Sequence, residues 1–324
     1  MTTVTPEPIL RAANGYMAAQ YLFVANDINL FEHLAEQASS LEKLAQKTGI
    51  APRRLRILAE ALVSLGFLER EQGCYKNTAV SEAFLCGRNP EDFRSALRFF
   101  RLRYPLWTQL ENVLRTGEAA RIEMTEEESA IFSIGIESGT VRTAQALARE
   151  YDFQQRRRLL DLGGGTGSFL TTILKQHGHL NTTLFETPEV AQVARQRIAD
   201  TAYARQVAIV MGDLFSDPLP PDHDAIMLNN VLHLFSAERN CTLLQRVRSQ
   251  VTSGVQLLLV DSWTDSEQAQ PSPIALIGGD FLLQTGEGDI YSEGEVWQWL
   301  AATNWRFIQR KPLVGATSLI LAEA

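Results

Sequence analysis

The sequence predicts an α/β chain in which a mainly α-helical module of winged-helix shape precedes a doubly wound, Rossmann-like domain. Three observations predict it. From Ile9 to about Glu150, apolar residues recur three and four positions apart, the spacing of helices buried along one side. From about Arg157 onward, short apolar runs alternate with amphipathic stretches, as in a parallel sheet joined by crossover helices. At the start of that second part, Asp161-Leu-Gly-Gly-Gly-Thr-Gly167 separates a strand from a helix, the place where doubly wound sheets receive nucleotides. The 324 residues exceed one ordinary domain and divide on these patterns into a helical module over 1–115, linker helices over 116–150 and the α/β domain over 151–324.

The first module is legible element by element. Ser40 is placed to cap a short helix that Thr48-Gly49-Ile50 ends. Pro52 sits in the first turn of the next helix, which carries Leu55, Leu58, Leu62 and Leu65 on one side and stops at Gly66. Phe67-Leu-Glu-Arg and Cys74-Tyr-Lys-Asn then form two short strands around Gln72-Gly73. Such a shape either docks on DNA through its second helix or serves as a packing module. That helix offers Arg53, Arg54 and Arg56 but little else polar besides Glu60, in a chain of net charge −8, so no nucleic-acid partner is expected. Ahead of it, Asn14 to Ala25 is apolar around most of a helix. A second subunit is the economical cover for such a segment, which predicts a homodimer.

Hydrophobic residues make up 45% of the chain and charged ones 21%, enough for a sizeable core. Cys74, Cys86 and Cys241 are odd in number and far apart, with neither zinc spacing nor a disulfide framework, which points to a reducing compartment. Neither a secretory leader nor a bilayer-length apolar run is present, so a cytoplasmic protein without membrane contact is expected. No metal is expected, and His177-Gly-His179 reads as a solvated turn after a helix.

The glycine loop is the most informative stretch. Leu159 to Leu162 reads as a strand, Gly163, Gly164 and Gly165 open the tight turn, and Phe169 continues a helix. Where a dinucleotide fingerprint would have its third glycine stands Ser168. The expected ligand therefore has an adenosine but no pyrophosphate, with Asp161 just before the turn. The strand Thr182 to Glu186 ends in an acid placed to accept both ribose hydroxyls. After the strand Val207 to Met211, Asp213 is placed to accept from an adenine amine, with Leu214 against the base.

Together, the glycine loop and the two acids resemble those of S-adenosylmethionine-dependent methyltransferases. With the helical module, the helix over Phe132–Ala148, Gly212-Asp-Leu-Phe and Asn230-Val-Leu-His-Leu-Phe235, the resemblance narrows. Over nearly its whole length the chain resembles the O-methyltransferase family that includes plant caffeic-acid and animal acetylserotonin enzymes. The resemblance implies S-adenosylmethionine as cofactor, an N-terminal module that dimerises without binding DNA, and His233 as general base. The chemistry asks for one. A phenol, with a pKa of about 10, is mostly neutral at neutral pH. Removing its proton makes its oxygen a better nucleophile, and a positioned imidazole contributes about 10²- to 10⁴-fold.

The family's pattern sets two acids around the base. Asp261, at the end of the strand Val255–Asp261, fills one place; the other is occupied by Ile290, which accepts no hydrogen bond. Leu234-Phe235 stand where the family has Asp-Trp, and Asn229 stands for a lysine near the cofactor, able to bond it without adding charge. The acceptor is expected to be small, hydroxylated, and aromatic or polyketide-like. Its candidate walls are Phe100, Tyr104, Trp107, Phe281 and Leu282, which could equally be core. Two alternatives stay open on the residues: methylation at carbon on the same scaffold, and a cofactor-binding regulator without turnover.

Overall fold

In the computed structural model, which describes residues 4–89, 92–265 and 272–324, the helical part begins with α1 (Glu7–Asp27) and α2 (Leu30–Leu34). Next come β1 (Ser39–Ser40), α3 (Leu41–Thr48), α4 (Pro52–Ser64), β2 (Leu68–Glu71), β3 (Cys74–Asn77), α5 (Ala79–Phe84) and α6 (Arg94–Arg103). Local chemistry explains the boundaries. Ser40 Oγ accepts from the Lys43 N–H, and Gly49 closes α3 in the left-handed region at φ 69°. Gln72 and Gly73 both have positive φ, 49° and 81°, the backbone of a tight hairpin turn between β2 and β3. β1 pairs with the outer side of β3. Leu55, Leu58 and Leu62 are buried, whereas Leu65, expected on the same stripe, caps α4 and is exposed.

On α1 only Phe23, Ala25 and Asn26 are buried within the chain, while Ile9, Leu10, Tyr16 and Met17 lie exposed. Such an apolar surface on one helix is unusual for a segment that packs only within its own chain.

The chain divides into two units, Met1–Tyr104 with Met124–Ser138, and Pro105–Glu123 with Gly139–Ala324. Residues 105–115, assigned to the first module from the sequence, thus belong to the second. Leu106 and Val113 are buried there with Leu283, a partner far along the chain that helical periodicity does not reveal. The second unit holds α7 (Leu110–Thr116) and the later part of α8 (Glu126–Glu150), then β4 (Arg158–Leu162), α9 (Ser168–Leu174), β5 (Asn181–Glu186), α10 (Pro188–Ala199) and β6 (Val207–Met211). β7 (Ala225–Asn229), α11 (Ala237–Ser249), β8 (Gln256–Ser262), α12 (Ser272–Thr285), α13 (Glu293–Ala302), β9 (Arg306–Val314) and β10 (Thr317–Glu323) complete it.

Seven strands form one sheet in the order β6-β5-β4-β7-β8-β10-β9. The first five are parallel, and the terminal hairpin β9–β10 joins antiparallel, so the sheet is mixed where the sequence suggested only parallel strands. Its two faces sort the residues of each inner strand alternately. Leu160, Leu162, Ile226, Leu228, Leu257 and Leu259 enter one core, and Leu159, Ala225, Met227, Leu258 and Val260 the other. Among the described residues no helix is long and apolar enough to cross a membrane. His177 and His179 depart from the solvated turn expected of them. Both are half-buried, and their Nε2 atoms donate to the carbonyls of Ala148 in the last turn of α8 (2.8 Å) and of Phe153 just after it (3.1 Å), because the turn is folded back against the end of that helix.

Leu258 is fully buried on a central strand. Leu258→Ala is therefore expected to lower the unfolding free energy by about 2–5 kcal/mol, read from the denaturant midpoint.

Candidate active site

The strand order creates the crevice. The chain leaves β4 for β5 on one side and later reaches β7 on the other, so an opening forms at the carboxyl ends of β4 and β7. The glycine loop follows β4 directly. Gly163, Gly165 and Gly167 have φ of 68°, 59° and 78°, which side-chain-bearing residues adopt with strain. A Cβ on Gly164 would lie 2.3 Å from Asp161 Oδ2, and one on Gly167 2.7 Å from Ile198 Cδ1. At Gly165 a Cβ would meet nothing within 4 Å, so the bare backbone there faces open space. Glu186, at the end of β5, holds the loop from the side: its Oε2 accepts from Gly165 N (3.0 Å) and its Oε1 from Thr187 N (2.8 Å).

Asp213 is engaged in its own turn. Its Oδ1 accepts from Phe215 N (2.8 Å), Ser216 N (2.9 Å) and Ser216 Oγ (3.1 Å). The Phe215 bond, foremost among these, holds the carboxyl below its usual range. Leu214 reaches over the loop, with Cδ1 3.7 Å from the position of a Cβ on Gly163.

Beneath the loop lies a buried polar pair. Asn229 Nδ2 donates to Asp161 Oδ1 at 3.1 Å, and both residues are buried. Asp161 Oδ2 and Asn229 Oδ1 have no hydrogen-bond partner among the described residues. Two orphaned acceptor oxygens under a glycine loop suit a ligand that brings donors or positive charge. Burial, opposed by the Asn229 bond and reinforced by Glu186, pushes the Asp161 carboxyl up to about 7.

The base candidate stands beside them. Asn230 turns the chain out of β7 at φ 55°, a conformation asparagine tolerates, and its N–H donates to Val260 O at 2.8 Å. The single helical turn Leu232–Leu234 then presents His233. Its Nδ1 lies 2.8 and 3.0 Å from the two oxygens of Asp261. A carboxylate only accepts, so Nδ1 carries the proton, and in the neutral ring Nε2 is left with a lone pair. Asp261 is 3% exposed and also accepts from Ser262 N at 2.8 Å. The face of His233 stacks on Phe281 of α12, centroids 3.8 Å apart and planes within 12°. Ile290 is buried and packs against α12, 3.3 Å from where a Gly278 Cβ would lie.

The loop bearing His233 is buttressed from behind. Asp289 N donates to His233 O (3.0 Å) and Tyr291 OH to Phe235 O (2.5 Å). Gly288 must lack a side chain, since a Cβ would sit 2.7 Å from the carbonyl oxygens of both His233 and Phe281. Arg239 of α11 pairs with Glu287 and lays its guanidinium 4.0 Å over Phe215 and 4.8 Å over Phe235. It thereby ties the Asp213 turn to the His233 turn.

Asp161, Gly163, Gly164, Gly165, Glu186, Leu214, Asn229, His233 and Asp261 are thus gathered at one sheet edge. Trp107 reaches α12, 3.0 Å from a Cβ built on Gly279, and Leu282 packs beside Leu106, Val113 and Leu283 as part of a small core. Phe100 and Tyr104 belong to the first unit. Sequence reasoning missed the Phe281 stack, Arg239 and the Gly288–Tyr291 buttress. Gly286 and Gly288 signalled a turn there, but no local pattern names its partner 50 residues upstream.

A glycine loop with an acid ending the next strand, beside a carboxylate-held imidazole at the switch point, is the arrangement that the resemblance to S-adenosylmethionine-dependent methyltransferases implied. Human N-acetylserotonin methyltransferase in complex with S-adenosylmethionine has the same architecture, with a TM-score of 0.83 and 26% identity over 99% of this chain and 98% of that one. A structure of PigF with S-adenosylhomocysteine aligns at a TM-score of 0.87, with 23% identity, over 99% of this chain and all of that one, a likeness of fold. The O-methyltransferase domain family matches residues 115–303 and the O-methyltransferase dimerisation domain family residues 10–87; the chain belongs to the O-methyltransferase family. It is 32% identical to the 3-hydroxy-5-methyl-1-naphthoate 3-O-methyltransferase of Streptomyces sahachiroi, over 91% of this chain and 88% of that protein. It is also 27% identical to the tetracenomycin polyketide synthesis 8-O-methyl transferase of Streptomyces glaucescens, over 98% and 96%. The chain is an S-adenosylmethionine-dependent O-methyltransferase; neither carbon methylation nor a regulator without turnover is favoured by these relatives.

Asp161 gives a pH signature. Its carboxyl titrates near 7 in the folded protein against an ordinary 3.8. Between those values the folded state binds more protons, so stability falls as pH rises, by at most on the order of 4 kcal/mol. Asp161→Asn is expected to flatten the dependence of Tm on pH from 5 to 8 in the ligand-free protein, with its benefit relative to wild type greatest at pH 8.

Proposed function

We propose that the acceptor is a phenolic hydroxyl on a flat, fused-ring aromatic or polyketide-like metabolite and that His233 is the general base. One observation carries the second half: Nδ1 of His233 is bound to Asp261, which leaves Nε2 without a partner among the described residues. The acceptor class rests on what the relatives are named for, a hydroxynaphthoate and a tetracenomycin polyketide. Trp107, an exposed aromatic side chain against α12, suits a flat ring.

When bound, S-adenosylmethionine supplies a methyl group on a positively charged sulfur, open to attack in line. The chain's residues do the remainder. Glu186 takes the ribose hydroxyls, Gly163, Gly164 and Gly165 let the backbone approach, and Asp213 and Leu214 border the adenine. Asp161 and Asn229 offer their orphaned oxygens to the amino-acid end. The acceptor's O–H proton would pass to His233 Nε2 as its oxygen takes the methyl group and the carbon–sulfur bond leaves its electron pair on sulfur. Asp261 opposes the positive charge that arrives on the ring and keeps Nε2 aimed outward. Alignment of oxygen and methyl supplies the rest of the acceleration.

We read the N-terminal module as a winged-helix dimerisation domain and the protein as a cytoplasmic homodimer. Support comes from the dimerisation-domain match, the exposed apolar residues of α1 and three cysteines without disulfides. Net charge −8 fits a small-molecule acceptor better than nucleic acid.

With a panel of hydroxynaphthoates and polyketide phenols and methyl-labelled S-adenosylmethionine, label is expected on oxygen. His233→Ala should lose about 10²- to 10⁴-fold in kcat while S-adenosylhomocysteine affinity by calorimetry stays nearly constant; undiminished turnover would remove His233 from the role. Sedimentation at micromolar concentration should give twice the 36.1 kDa chain mass, and replacing Met17 with Glu should shift it toward the monomer.

A further inference from the structure

We infer that Phe281 is a positioning residue for His233: its ring fixes the plane of the imidazole and supports the charge that arrives there. The inference rests on the reading of His233 as the base. A hydrogen bond from Nδ1 to Asp261 restrains one edge of the ring, but it leaves the ring free to rock about that bond. Phe281 removes that freedom. Its ring lies parallel to the imidazole at 3.8 Å, covering one whole face. Both polar edges stay clear, Nδ1 toward Asp261 and Nε2 outward.

Phe281 is itself held firmly. Thr285 Oγ1 donates to Phe281 O at 3.2 Å, and Gly288 closes directly against that carbonyl. Ile290 and Trp107 abut Gly278 and Gly279 one turn earlier on α12. The ring is thus a fixed surface, and Ile290, at the position where an acid was expected, braces the helix that carries it.

The surface acts on the chemistry as well. When the acceptor's O–H bond breaks, its electron pair stays on oxygen, an N–H bond forms at Nε2 and the imidazole becomes a cation. An aromatic face attracts a cation, so Phe281 favours the protonated ring. A mere acceptor wall would instead contribute to acceptor binding, visible in KM.

The test uses the full chain with Phe281→Leu and Phe281→Tyr. Side-chain NMR of the five histidines, with His233 identified by its loss in His233→Ala, needs no acceptor. In wild type the His233 ring protons are expected upfield, under the Phe281 ring current. Phe281→Leu should abolish that shift and Phe281→Tyr should keep it; a wild-type spectrum without it overturns the stack. With an acceptor in hand, Phe281→Leu should lower kcat about 10-fold or more, with acceptor KM changed less than about 3-fold. Its acid limb in the kcat profile should move to lower pH, since a group favouring the cation has been removed, and Phe281→Tyr should restore most of the rate. S-adenosylhomocysteine affinity by calorimetry reports on folding of each variant. A raised KM with kcat intact makes Phe281 an acceptor wall only and overturns the inference. If His233→Ala keeps full turnover, the reading of the base fails, while the NMR result still decides the stack separately.

Discussion

The contact between Asp261 and His233 is the constraint on which the site depends, and sheet register produces it. Asn229 at the end of β7 stands opposite Val260 of β8. Asp261 therefore projects one step beyond the point where β7 stops and Asn230 bends the chain. A carboxylate this buried is costly unless its oxygens are matched by donors. Here the donors are the imidazole N–H and the Ser262 amide. One bond thus relieves a buried charge and selects the histidine tautomer. A slip of β8 by one residue would turn Asp261 to the other face and leave both groups unmatched.

The same register places the floor of the adjoining crevice. Asp161 pairs with Met227, two residues before Asn229, so the glycine loop and the asparagine arrive at the same sheet edge. Around that edge are Asp161, Glu186 and Asp213, and no lysine or arginine lies in the Asp161–Asn229 pair. Asparagine in place of a cation leaves the Asp161 carboxyl without a counter-charge, and burial drives it toward the neutral form. A ligand that carries its own positive charge supplies what the side chains lack. Binding and ionisation of Asp161 are then coupled, each favouring the other.

Much of this was legible in the sequence because it is local. Strand, glycine turn and helix are written contiguously in Leu159 to Leu174, and the unbroken apolar runs of β7 and β8 follow from burial on both faces. Ser40, Gly49 and the Gln72-Gly73 pair marked their boundaries through capping and positive φ. What was not legible depends on partners distant in sequence. Phe281 was expected to wall an acceptor pocket or equally to be core, because the apolar residues around it in α12 cannot say which of them meets a polar ring. Asp213 reads alike as a ligand acid or a turn former; only the three donors around its Oδ1 reveal the turn. The hairpin β9–β10 was missed because β9, at the sheet edge, lacks a strand's alternation: its apolar residues fall together as Phe307-Ile308 and Pro312-Leu313-Val314, with Gln309-Arg310-Lys311 between.

The departure at Ile290 also makes physical sense once α12 is in place. A second carboxylate beside an imidazole would favour the cation before any proton arrives, and would hold the ring by a second directional bond. An aromatic face divides those effects differently. It fixes the ring plane through close packing over its whole area, and its attraction for a cation is weaker than that of a full negative charge. The imidazole therefore keeps a defined orientation with Asp261 as its one carboxylate partner among the described residues. Ile290 fills the space against Gly278 and so helps to keep α12, and with it Phe281, in contact with His233. The orientation of the ring thus comes jointly from the Asp261 hydrogen bond and from the packing of a helix.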